Sequence, residues 1–174
     1  ALSLVGSEMC IRDRDIILGN HDTYFKNTNE LNSLKELQGH YMNEVNIVDK
    51  PTVMNYDGLN IGLLPWIAED NEEESLEFIN NCNASILGAH LELQGFDMSK
   101  GMPCMDGMSR QPFEKFEMVL TGHFHAKSTQ GNIHYLGAQM EFFWNDCDDP
   151  KYFHILDTKT RELTPIQNLS LIHI

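Results

Sequence analysis

The residues best suited to chemistry are histidines in three short glycine-containing signatures. These signatures are GNHD at 19–22, GAH at 88–90 and GHFH at 122–125. Each comes at the end of an apolar run rich in β-branched residues, which is typical of a buried strand that ends at the rim of a sheet. The pattern therefore predicts that separate strands carry polar side chains to one edge.

The side-chain types indicate which chemistry such an edge could perform. Neutral imidazoles with an amide or carboxylate oxygen suit a first-row divalent ion such as manganese, iron or zinc. His123 and His125 are two residues apart, so on an extended segment they would share a face and bind one ion or two adjacent ions. A glycine before each ligand lets the backbone approach the metal closely. Two ions roughly 3.5–4 Å apart can clamp a phosphodiester and generate a hydroxide nucleophile.

The three signatures resemble those of the calcineurin-like metallophosphoesterases. The resemblance implies two divalent ions, with manganese expected and iron, zinc or magnesium as alternatives. It implies four metal ligands, which are Asn20, His90 and His123 for the first ion and His125 for the second. His21 would face the scissile phosphate, where it stabilises charge or protonates the leaving group, and Asp22 would orient its ring. Asp22 could also cap a helix after the turn.

Four longer stretches resemble phage recombination-endonuclease subunits, the viral relatives of SbcD-type double-strand-break repair nucleases. These stretches are GFDMSKGMPCMDGMS, KFEMVLTGHFHAKS, GNIHYLGAQMEFFWNDCDDP and FHILDTKTREL. The resemblance covers roughly residues 15–168. It implies a DNA exonuclease or endonuclease subunit that forms a homodimer and works with an SbcC-like ATPase of the SMC family. It also implies the cytoplasm of a bacterial or phage-infected cell.

The resemblance further implies an α/β (α+β) fold, a four-layer sandwich of two β-sheets flanked by helices. The family's Asp-x-His and Gly-Asp segments precede GNHD and have no counterpart in this sequence, and the family continues into a capping domain. We therefore expect residues 15–168 to be a partial metallophosphoesterase domain, truncated at both ends, with weak or no activity by itself. Residues 1–14 and 169–174 resemble translated sequencing-adaptor read-through and are expected to be non-native flanks.

Composition agrees with one packed domain and opposes the simplest nuclease interpretation. The chain has 174 residues, of which 41% are hydrophobic, and no run approaches the roughly 18 apolar residues of a membrane span. Its four cysteines are widely spaced, so they indicate neither a disulfide framework nor a zinc knot. The net charge is -14 with only twelve Lys and Arg, whereas duplex DNA binding relies on clustered cations. The metals, a capping domain or the ATPase could supply that attraction.

Local patterns predict alternating helices and strands. Helices are predicted at 28–38 and 71–81. Strands are predicted at 45–48, 52–56, 60–64, 133–136 and 152–157 and before His90 and His123, with Asp57-Gly58 as a hairpin turn. For the methionine-rich segment 96–110 two interpretations stay open, a loop that shapes access to the site or a connection whose methionines cover the core. His40, His134, His154 and His173 have no signature context and are interpreted as structural.

Residues 142–144, with sequence FFW, could stack unpaired bases, but the core interpretation is favoured. Three functions from different classes remain at this stage. They are a metal-dependent nuclease subunit, a phosphomonoesterase or cyclic-nucleotide phosphodiesterase on the same fold, and a non-catalytic product. The acidity favours the second, and the four long stretches favour the first.

Overall fold

The fold is given by a computed structural model that describes residues 14–41, 45–99 and 101–169. The helices are α1 (Ser33–Tyr41) and α2 (Glu72–Asn81). The strands are β1 (Arg14–Ile17), β2 (Val45–Val48), β3 (Thr52–Tyr56), β4 (Leu59–Leu64), β5 (Ile86–His90), β6 (Asp97–Ser99), β7 (Met102–Pro103), β8 (Met118–Gly122), β9 (Ser128–Gln130), β10 (Ile133–Tyr135), β11 (Tyr152–Leu156) and β12 (Leu163–Gln167).

A six-stranded mixed sheet in the order β3-β4-β5-β8-β10-β9 forms the centre of the fold. Its four inner strands, β4, β5, β8 and β10, run parallel to one another, whereas β3 and β9 pair antiparallel at the two edges. The hairpin between β3 and β4 turns at Asp57 and Gly58, both with positive φ, as predicted for an Asp-Gly turn. Because the inner strands are parallel, their carboxyl ends meet at one edge.

Three two-stranded sheets complete the described strands. Strands β1 and β2 pair in parallel, and β6–β7 and β11–β12 are antiparallel pairs. The chain just after β1 is joined to the chain just after β4, because the Trp66 N–H donates to the Leu18 carbonyl at 2.8 Å. This bond places the GNHD segment at the carboxyl edge of the main sheet.

The hydrophobic core lies between the main sheet, α2 and the segments that follow β5. Its largest fully buried side chains include Tyr135, Phe96, Phe113, Leu87, Val119 and Ile79. Tyr135 also bonds to the backbone beyond β5, since its hydroxyl donates to the Leu91 carbonyl at 2.8 Å and accepts from Leu93 N–H at 3.1 Å. The core thereby fixes the chain immediately after His90.

The predicted α/β class is confirmed, and most strand predictions agree with the structure within one or two residues. The prediction of the first helix is less accurate, because the helix begins at Ser33 and not at residue 28. The buried Asn32 caps it, with its side-chain oxygen accepting from Lys35 N–H at 2.9 Å. Asn32 also donates to the Asn29 carbonyl at 2.9 Å, so residues 28–32 are held as a loop.

Some sequence predictions fall outside the described residues. These are the flanks 1–13 and 170–174, which include His173, and the side chain of His40. In the described ranges, no helix is long and apolar enough to cross a membrane.

Candidate metal centre

The candidate centre is assembled from the carboxyl ends of neighbouring strands. His90 is the last residue of β5, and His123 directly follows β8, with His90 paired to Gly122 in the sheet register. Asn20 follows β1 by three residues, and Trp66 follows β4 by two. Four separate strands therefore bring these side chains together, as the apolar runs before the signatures predict.

Three of the predicted ligands lie in contact with one another. The side-chain oxygen of Asn20 is 2.9 Å from His90 Nε2 and 3.3 Å from His123 Nδ1. The two imidazole rings meet edge to face, with centroids 5.3 Å apart. The oxygen of Asn20 is thus the common point of the cluster.

These distances fit a single first-row ion. Ligand atoms that each lie about 2.0–2.2 Å from one ion stand roughly 3.0–3.5 Å from one another. The separations of 2.9 and 3.3 Å within the cluster are close to that spacing. The donor set of two imidazoles and one amide oxygen also suits manganese, iron or zinc.

The surroundings of His90 and His123 favour the neutral imidazole, whose unprotonated nitrogen can bind a metal ion. Burial, followed by repulsion from His123 and His21, lowers the pKa of His90 to about 4. Burial also lowers the pKa of His123, although the Glu92 carboxylate, 3.7 Å from its Nε2, opposes that shift. A divalent ion would bind without first having to displace protons from these imidazoles.

Two of the three signature glycines, Gly19 and Gly122, make room for the ring of His90. A Cβ atom at Gly19 would lie 2.9 Å from His90 Cε1, and one at Gly122 would lie 3.1 Å from its Nδ1. Any larger residue at either position would push the ring aside. These two glycines therefore serve close packing around His90, whereas the predicted close approach of their backbone to a metal stays a prediction.

His123 adopts a backbone conformation that L-residues rarely occupy. Its φ is 85°, in the left-handed region, and the following Phe124 is buried against Tyr135, with ring centroids 4.7 Å apart. Trp66 stacks on the His123 ring at 5.4 Å and 17°. Backbone strain is thus stored at the residue that must point its imidazole towards Asn20.

His21 and Asp22 occupy the turn after Asn20. His21 is exposed and lines a cavity shared with His123 and His125, where it can reach a ligand. The carboxylate of Asp22 accepts from Gly19 N–H at 2.8 Å, so it closes the turn. The contacts of the described residues include none between the Asp22 carboxylate and the His21 ring, so the predicted role of Asp22 in orienting that ring stays a prediction.

His125 lies apart from the Asn20 cluster and has its own carboxylate partner. Its Nδ1 is 3.0 Å from Asp146 Oδ2, and the buried Asp146 also accepts from the N–H groups of Phe142 and Phe143. Burial alone would raise the pKa of Asp146, but these backbone bonds, together with His125 and Lys151, lower it to about 2. The ring of His125 is therefore held by an ionised carboxylate.

Two cavities flank the centre and differ in charge. The smaller, of about 290 Å³, carries four carboxylates, those of Glu69, Glu72, Glu92 and Asp106. The larger, of about 530 Å³, is lined by His21, His123, His125 and Lys127 together with three carboxylates, those of Asp97, Asp146 and Asp149. Lys127 and these three histidines line the larger cavity and not the smaller one.

The segment 96–110 contains the short β6–β7 pair beside this larger cavity. Met98, Met102 and Met105 are exposed by 46%, 59% and 73%, so the interpretation in which they cover the core is wrong for these three. Met108 does pack against the core. Asp97, Met98 and Ser99 line the cavity, so the segment borders the space in front of the histidines.

The sequence-based interpretation that residues 142–144 belong to the core is also wrong. Phe142, Phe143 and Trp144, which we call the aromatic patch, are exposed by 62%, 62% and 95%. Their hydrophobicity alone suggested burial. The bonds from Phe142 and Phe143 N–H to Asp146 direct the turn so that the rings point outwards.

Three residues of the site were not found by sequence reasoning. Trp66 follows the apolar β4 at the same edge as the signatures, and that position was a usable signal. Asp146 and Glu92 had no signal beyond being carboxylates, because their roles depend on turns that join distant parts of the chain. Within the described ranges, no three or more residues of the types His, Cys, Asp and Glu are grouped so that they could hold a metal ion. The Asn20 cluster is not of this kind, because one of its three members is an amide.

The fold is a mixed α/β arrangement that is consistent with a phosphoesterase-like fold. The chain is 38% identical over 157 residues to exonuclease subunit 1 of Enterobacteria phage T4, which covers 90% of this chain and 46% of that protein. It is 24% identical over 144 residues to putative phosphoesterase 244L of Invertebrate iridescent virus 6, which covers 77% of this chain and 48% of that protein.

These relatives support a nuclease or phosphoesterase family. The chain spans about half the length of each of them. No protein-family model matches the chain.

Proposed function

We propose that this protein is a metal-dependent phosphodiesterase that acts on DNA as the nuclease subunit of a recombination or double-strand-break repair complex. The observation that carries the proposal is the convergence of Asn20, His90 and His123 from three strand ends onto one point. The similarity to a phage exonuclease subunit supports DNA as the substrate.

Each side chain has a defined task in this proposal. Asn20, His90 and His123 hold a first divalent ion, and His125, fixed by Asp146, holds a second. Bound there, divalent ions supply Lewis acidity and a metal-activated hydroxide. His21 faces the cavity and contacts the phosphate, where it stabilises charge or protonates the leaving oxygen.

The acidic surface implies that DNA binding depends on more than this chain. With a net charge of -14, the chain has few cations to displace counterions from phosphates. We therefore include in the proposal an SbcC-like ATPase partner of the SMC family, a homodimeric nuclease and a cytoplasmic location. The word subunit in the name of the phage relative supports a multi-subunit complex.

A substrate comparison tests the proposal directly. Hydrolysis of a DNA oligonucleotide, a chromogenic phosphomonoester and a cyclic nucleotide by the full-length protein is measured in one manganese buffer, with and without chelator. We expect DNA cleavage that requires manganese and that the ATPase strengthens on duplex ends. Turnover of either small substrate with none on DNA would favour the second candidate, a small-molecule phosphoesterase, which the acidity of the chain favours.

A pair of variants of the full-length protein tests the assigned roles. His21→Ala should abolish turnover while leaving manganese content nearly unchanged, because His21 acts on the phosphate. His123→Ala should lower both, because His123 is a ligand. Equal loss of manganese in the two variants would refute the assignment.

A further inference from the structure

The aromatic patch is exposed next to the candidate site. Its three consecutive large rings lie on a short turn whose backbone is fixed by the buried Asp146. Trp144, at 95% exposure, has almost its whole indole in solvent. Contiguous exposed apolar surface of this kind marks a place where a ligand or partner binds.

The patch is continuous with the proposed phosphate-binding cavity. Phe143 stacks on the His125 ring with centroids 5.3 Å apart and planes at 8°, and it lines the larger cavity beside His21 and His123. The ring of Phe142 lies tilted beside the same imidazole, with ring centroids 5.6 Å apart. A molecule whose phosphate lies in the cavity would extend over these rings.

We propose that the aromatic patch is a stacking site for an unpaired nucleobase of the DNA strand whose phosphate enters the larger cavity. The proposal rests on the proposed function and adds that the substrate is single-stranded or frayed at the point of binding. Flat aromatic faces accept any base by stacking, without hydrogen bonds that read sequence. A base within a duplex has both faces covered, so the strand must be unpaired here.

The charges around the patch favour a base over a longer stretch of backbone. Lys127 lines the cavity beside Asp97, Asp146 and Asp149 and can pair with one phosphate. Around the patch, Glu141, Asp148 and Asp149 are acidic and oppose further phosphates. An uncharged base is not opposed by these carboxylates, so a short unpaired end fits the surface better than duplex.

The test measures binding rather than cleavage. Fluorescence anisotropy in chelator reports the affinity of a short single-stranded oligonucleotide and of an otherwise identical oligonucleotide with abasic positions. The variants are Phe143→Leu and Trp144→Leu, which keep an apolar side chain but remove the flat ring. Phe153→Leu, at an exposed aromatic of β11 outside the cavity lining, is the matched control.

We expect Trp144→Leu to weaken binding of the normal oligonucleotide roughly 5- to 150-fold, the loss that corresponds to one stacked base. Its affinity for the abasic oligonucleotide should change little, and Phe153→Leu should resemble the wild type with both. Circular dichroism confirms that each variant is folded. An emission change from 2-aminopurine in the oligonucleotide, lost in Trp144→Leu, would show the stacking itself.

Two outcomes would overturn the proposal. One is equal affinity of the wild type for normal and abasic oligonucleotides, which would leave the patch to a protein partner. The other is a loss in Trp144→Leu that is the same with both oligonucleotides. Failure of the proposed function is seen separately, as absence of manganese-dependent hydrolysis of a phosphodiester without a base, such as bis-p-nitrophenyl phosphate.

Discussion

The half-buried imidazole of His125 contacts the buried carboxylate of Asp146, with 3.0 Å between Nδ1 and Oδ2. Lys151, only 3% exposed, lies 3.4 Å from the same carboxylate and donates to the His125 carbonyl at 3.2 Å. Asp146 thus joins the GHFH segment to the turn that carries the aromatic patch. With the carboxylate accepting the Nδ1 proton, Nε2 of His125 is left as the acceptor.

Replacing this carboxylate by an amide should destabilise the protein. In Asp146→Asn one of the two carboxylates beside the buried Lys151 is lost, although Asp149 stays at 2.8 Å from its ammonium group. The amide NH2 group would also face the N–H donors of Phe142, Phe143 or His125 in place of an acceptor. We expect the free energy of unfolding to fall by about 2–4 kcal/mol. Urea denaturation followed by circular dichroism measures it.

Asp148→Asn is the matched control, because Asp148 is exposed and has φ of 59°, a conformation that asparagine tolerates. It should change stability by less than about 0.5 kcal/mol. Similar effects of the two substitutions would show that Asp146 has no special structural role.

The sequence predicts those parts of the candidate centre and of the fold whose position depends on a local residue pattern alone. His90 and His123 were found because an apolar run ends at each signature, and parallel strands deliver their ends to one edge. The hairpin at Asp57-Gly58 was found because those residue types tolerate positive φ. In these cases the relevant physics acts within a few residues.

The failures involve contacts between distant or irregular segments. Hydrophobicity suggested a buried position for Phe143 and Trp144, but the turn around Asp146 reverses their direction. The pairing of Asp146 with His125 spans 21 residues, so no local periodicity could indicate it. Likewise, Trp66 reaches His123 only through the order of strands in the sheet.

The backbone strain at His123 predicts an unusual order of stability. Because φ is 85° there, His123→Gly should be more stable than His123→Ala by about 1–2 kcal/mol, although glycine normally destabilises a folded chain. The same pair of substitutions at His134, within strand β10, should show the opposite order. Urea unfolding of the four variants checks the prediction. It would be contradicted if the alanine variant were more stable than the glycine variant at both positions.

Two half-buried histidines should make stability depend on pH. Burial, followed by the charge of Lys127, lowers the pKa of His134 and of His154. The unfolded chain then binds protons below about pH 6.5 that the folded chain does not, so their stabilising contribution is present above that pH and is lost as the pH falls.

His134→Gln should therefore lose less stability than the wild type between pH 7 and pH 5. Since both rings are partly solvated, we expect a difference of a few tenths to about 1 kcal/mol. Urea midpoints measured across this range test the effect. Parallel pH profiles of the two proteins would mean that His134 contributes nothing to it.

The close contact of Gly19 with His90 predicts a loss of metal binding without a loss of ligands. In Gly19→Ala the new methyl group would lie 2.9 Å from His90 Cε1, so the ring must move away from the Asn20 oxygen. We expect manganese affinity to fall about tenfold or more, as for other changes that disturb ligand orientation.

The matched control is Gly88→Ala on β5, the strand that ends at His90. There the added Cβ meets the Leu63 Cδ2 methyl at 3.2 Å, and a flexible leucine end can move aside. Isothermal titration with manganese should show near-wild-type affinity in Gly88→Ala and clearly weaker binding in Gly19→Ala. If both variants bind manganese as the wild type does, the glycine of GNHD is not needed to position His90, and the packing argument for that signature fails.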